Sequence, residues 1–120
     1  MSSDKLPNYM WHPPPVEVEP RTLLSQWRVY QVDMDFDGAG MSNHLIGVTR
    51  GGSGRVSSPV QEFDHATQCA VTRSGRIYEL VGPSGTSSNA TFVWTYWLVR
   101  NNILEYTEIT QDYEPENTGS

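Results

Sequence analysis

The sequence predicts a mainly β (α+β) domain, a small antiparallel meander or half-open barrel of about five to six strands with one short helix packed on it. Three observations lead there. Short runs of alternating apolar and polar residues recur between residues 24 and 82, each closed by a Gly, Asp or Pro signal. Val48–Val56 (VTRGGSGRV) and Val71–Ile77 (VTRSGRI) spell one turn twice, too short and too close to be solenoid units but suited to two hairpins. After residue 89 the apolar spacing changes from two to that of a helix. With 37% hydrophobic and 18% charged residues among 120, the composition suits one polar, β-rich domain better than a helical bundle.

Residues 1–20 hold five of the eight prolines, including Pro13-Pro14-Pro15, and read as an extended arm. Trp11 within it is a candidate anchor, to a groove of the domain or to a partner. The domain itself is expected at 21–110. In SQWRVYQVDMDF, Tyr30, Val32, Met34 and Phe36 alternate with polar residues, one face in and one out, and Asp37-Gly38 turns the chain. HLIGVT (44–49), RVSSPVQEF (55–63), TQCAVT (67–72) and RIYELVG (76–82) follow as strands, with Pro59 marking an edge, bulge or bend. In TFVWTYWLVRNN the residues favour strand, but Ala90, Val93, Trp94, Trp97 and Leu98 fall on one helical face. Ser88 or Asn89 would cap such a helix, and Asn101-Asn102 would stop it. ILEYTEIT (103–110) reads as a last, acidic edge strand, and residues 111–120 as an acidic mobile tail.

The net charge of −6 belongs mostly to the ends. Residues 103–120 carry Glu105, Glu108, Asp112, Glu114 and Glu116 and no base, whereas 21–102 set seven Arg against six acids. An acidic chain argues against wholesale nucleic-acid binding but leaves room for a local basic patch. No apolar run approaches the roughly 20 residues of a membrane span. The opening MSSDKLPNYM lacks the basic and apolar regions of a signal peptide, and the single Cys69 fits a reducing compartment, so the expected location is cytoplasmic.

The two turns hold Arg50, Arg55, Arg73 and Arg76, half of the eight basic residues. Successive hairpins place both turns at one end of a meander, where four guanidinium forks suit phosphate, carboxylate or an acidic partner. The bland alternative pairs each Arg with a nearby acid such as Glu62, Glu79 or Asp64. GGSGRVSS lacks the Gly-Lys-Ser/Thr ending of a phosphate-binding P-loop. DMDFDG opens like a calcium loop, with Asp33, Asp35 and Asp37 as a weak metal candidate. The pattern then fails, because His44 stands where the bidentate Glu belongs, and no metal is expected. His65 and Cys69 lack a second pair for zinc, and Cys69 alternates in phase with Val71 toward the core. No Ser sits in a nucleophile elbow, and neither an enzyme nor a cofactor is expected.

Large aromatics outnumber what so small a core readily hides, which makes Trp11, Trp27, Tyr96 and Trp97 interface candidates. The sequence therefore favours a non-enzymatic protein-interaction module, with a second copy of the chain (a homodimer) among its partners. The alternative is binding of nucleic acid or a phosphate ligand through the four Arg. An acidic inhibitor or nucleic-acid mimic rests only on the charge of the ends.

Overall fold

The computed structural model describes residues 13–33 and 40–115. It is mainly β, with one helix on a seven-stranded sheet. In chain order the elements are β1 (Arg21–Asp33), β2 (Met41–Val48), β3 (Gly54–Val56), β4 (Val60–Asp64), β5 (Cys69–Thr72), β6 (Ile77–Val81), α1 (Ser88–Arg100) and β7 (Tyr106–Glu108), then a 3-10 turn at Thr110–Tyr113. No helix among the described residues is long and apolar enough to cross a membrane.

The strand order β3-β2-β1-β6-β5-β4 consists of two antiparallel three-stranded meanders. They join through a parallel ladder between β1 and β6, from Arg21 opposite Ile77 to Ser25 opposite Val81. The sheet is therefore mixed rather than one antiparallel meander. Its two edge strands, β3 and β4, are neighbours in sequence, linked only by Ser57-Ser58-Pro59. Flat, the five gaps of about 4.8 Å would set those edges roughly 24 Å apart. A link of that length spans at most about 14 Å. The sheet must curl until its edges approach, and it does so without a ladder between them. Pro59 makes the break: the expected strand 55–63 divides into β3 and β4 on opposite edges.

β1 bends where its register to β2 shifts between Ser25 and Arg28, with Gln26 at φ +48°. Before the bend Thr22 and Leu24 are buried; after it Trp27 and Val29 are. One added residue moves the inward face from even to odd positions and keeps it facing one core. That core joins Leu24, Trp27, Val29, Leu45, Ala70, Tyr78 and Leu80. On the other face α1 buries Ala90, Val93 and Trp94 over Val32 and Ile46. β2 is covered on both faces, so His44 through Gly47 are all buried.

The helix follows the spacing the sequence set out. Its cap is Ser87 rather than the expected Ser88 or Asn89; the Ser87 hydroxyl accepts the Asn89 N–H at 3.2 Å. It ends at Asn101, followed by Asn102 in the left-handed region at φ +56°. The last strand is shorter than expected. Only Tyr106–Glu108 pairs, against the second half of β1. Within the expected tail, residues 111–113 belong to the 3-10 turn, and Tyr113 is buried in the first core.

Candidate functional site

Both SGR turns lie at one end of the sheet, as the hairpin argument requires. β6 begins beside the start of β1, and β2 ends beside it. Each turn spends one glycine on a left-handed residue, Gly52 at φ +92° and Gly75 at φ +94°. The arm enters β1 between the two turns, and a residue the sequence did not single out, Glu19, reaches both.

Arg55, from the first turn, donates to the Glu19 carboxylate at 2.8 and 3.4 Å and to the Tyr78 hydroxyl at 3.3 Å. Arg76, from the second, donates to the same carboxylate, to the Glu19 carbonyl at 2.9 Å and to the Pro14 carbonyl. The Thr22 hydroxyl adds a bond to Glu19. Both guanidinium groups are buried. Burial works against the Glu19 charge, but the bonds from Arg55 and Thr22 and the fields of Arg55 and Arg76 outweigh it and lower the pKa to about 2. Of the acids expected as partners, Glu79 meets Arg21 at 3.3 Å and Asp64 accepts the Ala66 N–H at 2.9 Å.

The four turn Arg therefore divide. Arg55 and Arg76 converge on Glu19. Arg50 and Arg73 are exposed and form no ion pair among the described residues. They line different cavities, each of about 330 Å³. The Arg50 cavity includes Arg21 and Glu19. The Arg73 cavity lies at the seam of the curled sheet, between the 57–59 link and the second turn, with Trp97 and His44 in its wall. The Arg73 N–H bonds the Pro59 carbonyl at 2.8 Å, and the Ser74 N–H bonds the Ser58 hydroxyl at 3.1 Å. These bonds fix the two sides of the seam to each other.

His44 is buried under Trp97, its ring 4.6 Å from the indole, centroid to centroid. Nδ1–H donates to the Ser57 carbonyl at 2.8 Å, which leaves Nε2 to accept from the Ser42 hydroxyl at 2.9 Å. Ser42 is itself buried and does not line the cavity. The pair builds structure rather than presenting a nucleophile. Burial lowers the His44 pKa, the field of Arg73 adds to that, and the Ser57 bond works the other way. A base held below its ordinary value of about 6.5 stabilises the fold fully above that pH and less as the pH falls. Urea titrations at pH 7.5 and 5.5 should show lower stability at the lower pH. In His44→Gln, which keeps a donor and an acceptor but cannot titrate, that part of the loss should vanish.

The remaining candidates separate clearly. Trp27 is wholly buried, with its indole N–H on the Gly82 carbonyl at 3.0 Å, so it is a core residue and not a contact for a partner. Trp97 and Tyr96 are half-buried on α1. Trp11, Asp35 and Asp37 lie outside the described residues; Asp33 ends β1, exposed. Among the described residues no three His, Cys, Asp or Glu gather as a metal site. Cys69 is half-buried beside Arg21, at 3.4 Å, rather than in the core, because Ala70 and Thr72 take the inward positions of β5. His65 donates its Nε2–H to the Asp112 carbonyl at 2.8 Å.

A second surface comes from α1. Its sheet-facing side is filled, yet its outer side carries Phe92 and Val99, 47% and 69% exposed, with half-buried Tyr96 between them. Leu104, just beyond the helix, is 94% exposed. The spacing 92, 96, 99 makes one stripe. Compared with known proteins, the chain matches no family model, no curated protein sequence and no solved structure.

Proposed function

We propose that the protein is a non-enzymatic interaction module that associates with a second copy of itself through the outer face of α1. One observation carries the reading. From Leu80 to Val99 the chain has no charged residue, and the helix in that stretch turns an apolar stripe to solvent. An apolar stripe left exposed on a helix is a candidate contact surface. Two copies of a chain with net charge −6 repel each other unless they meet on a neutral surface, and α1 supplies one. Antiparallel pairing of two such helices sets their macrodipoles head to tail and places each Arg100 at an opposite end.

Sedimentation equilibrium at tens of micromolar should give a dimer. Phe92→Glu with Val99→Glu should give a monomer whose melting temperature in the dilute limit is close to that of the parent, since both side chains are exposed. A parent chain that stays monomeric up to millimolar concentration overturns the reading. The nucleic-acid alternative has less support. Arg55 and Arg76 are committed to Glu19, and Arg50 and Arg73 line separate cavities, which is a poor track for a polyanion.

A further inference from the structure

The Arg55–Glu19–Arg76 group is unbalanced. Two buried guanidinium groups share one carboxylate, and among the described residues no other acid pairs with either. Uncompensated charge away from water is costly, and proteins ordinarily match it with a counter-charge. Arg76 lines the seam cavity, and Arg73, with no ion pair among the described residues, lines the same cavity. Arg73 adds a second positive charge to the surplus. Beside these charges stand the Ser58 and Ser74 side chains, whose hydroxyls can donate to an oxyanion. The same cavity has aromatic side chains in its wall, Trp97, which is stacked on Trp94, and the His44 ring against it. About 330 Å³ is the lower end of the size of small-molecule sites.

We propose that the seam cavity binds a small phosphate monoester carried on a planar ring, with the phosphate at Arg73 and the rim of Arg76 and the ring against Trp97. The charge selects the ligand. A phosphate monoester near neutral pH carries about −1.5 to −2, which matches two positive charges; a carboxylate matches only one. The walls are preorganised, because the Arg73 N–H bond to the Pro59 carbonyl and the Ser74 N–H bond to the Ser58 hydroxyl already tie the second turn to the 57–59 link. The proposal is independent of α1 self-association, since it uses the sheet seam rather than the stripe of Phe92 and Val99.

Isothermal titration calorimetry of the full chain at pH 7.5 and low salt tests it with phenyl phosphate, adenosine 5′-monophosphate, inorganic phosphate and benzoate. At least one of the two ring phosphates should bind with a Kd below about 1 mM. Phenyl phosphate tighter than the nucleotide identifies a phenolic carrier, and the reverse a nucleoside; either supports the site. Inorganic phosphate and benzoate should each bind at least about tenfold more weakly, since each lacks either the ring or the second charge. Arg73→Ala should lose about tenfold or more for the ring phosphate while melting within a few degrees of the parent, because the exposed side chain carries no ion pair in the fold. Amide shifts on titration should concentrate at residues 57–59, 73–76 and 97. The proposal is overturned if neither ring phosphate binds, if benzoate binds as well as phenyl phosphate, if Arg73→Ala binds unchanged, or if the shifts lie elsewhere.

Discussion

Glu19→Gln lowers the thermal midpoint by roughly 10–20 °C, the larger of the two main effects expected here. The amide keeps the size of the carboxylate and can still accept hydrogen bonds, so packing is nearly conserved. What goes is the single negative charge between two buried guanidinium groups. Removing one partner from a buried ion group typically costs about 3–5 kcal/mol, because the charges left behind have neither water nor a counter-charge. Here two are left. The acid limb of the stability curve gives an independent readout. The pKa of Glu19 is depressed to about 2, so its contribution is complete above the unfolded value near 4.5 and is lost as the pH falls through the folded one. In the parent chain this limb amounts to about 2–3 kcal/mol between those pH values. In Glu19→Gln it should disappear, while the separate loss below about pH 6.5 from His44 remains. Denaturant titrations at pH 7, 4.5 and 2.5 check both. A variant that keeps the midpoint and the acid limb of the parent would mean that the arm does not hold the two turns together.

That ion group also marks where sequence reasoning stops. The turns were legible, because Gly52 and Gly75 supply a left-handed residue that few others adopt, and identical turn chemistry puts both at one end. The partner of their Arg was not. Glu19 stands 36 residues before Arg55 and 57 before Arg76, inside a Pro-rich stretch that reads as an arm outside the domain. Only the placement of β1 between the turns brings it there. The helix was legible because Ala90, Val93 and Trp94 repeat at helical spacing and meet one sheet face. Trp27 was an interface candidate because the large aromatics outnumber what one small core hides. Here β1 is covered on both sides: Tyr30 and Val32 lie under α1, and Trp27 points the other way. That other side is the inner core, and a strand covered on both faces has no outside for alternation to reveal. The parallel pairing of β1 with β6 was hidden as well, since a period of two fixes which face a residue takes but not which strand lies alongside.

Gly54→Ala should cost about 3 kcal/mol, near the top of the range for overpacking, and lower the midpoint by roughly 10 °C. The reason is contact rather than backbone freedom, since Gly54 does not need a left-handed conformation. A methyl group there would lie 2.3 Å from the Asn89 carbonyl oxygen, 2.7 Å from its carbon and 2.9 Å from Val93 Cγ2. A side chain could rotate away, but the backbone of the first turn of α1 cannot give without moving the helix. Any such movement pulls on the Asn89 side-chain bond to the Gly52 carbonyl at 2.8 Å and on the stack of Trp94 against Tyr30, whose centroids are 4.9 Å apart. Gly51, three residues earlier in the same hairpin, is the control. A methyl group there meets nothing within 4 Å, so Gly51→Ala should fall within about 0.5 kcal/mol of the parent. Near-ultraviolet circular dichroism should register the disturbed Trp94–Tyr30 stack in Gly54→Ala and stay unchanged in Gly51→Ala. Because the helix that Gly54 seats also carries Phe92 and Val99, Gly54→Ala should weaken self-association although its own position is remote from that stripe. Equal midpoints for the two alanine variants would show that α1 does not rest on β3 at this distance.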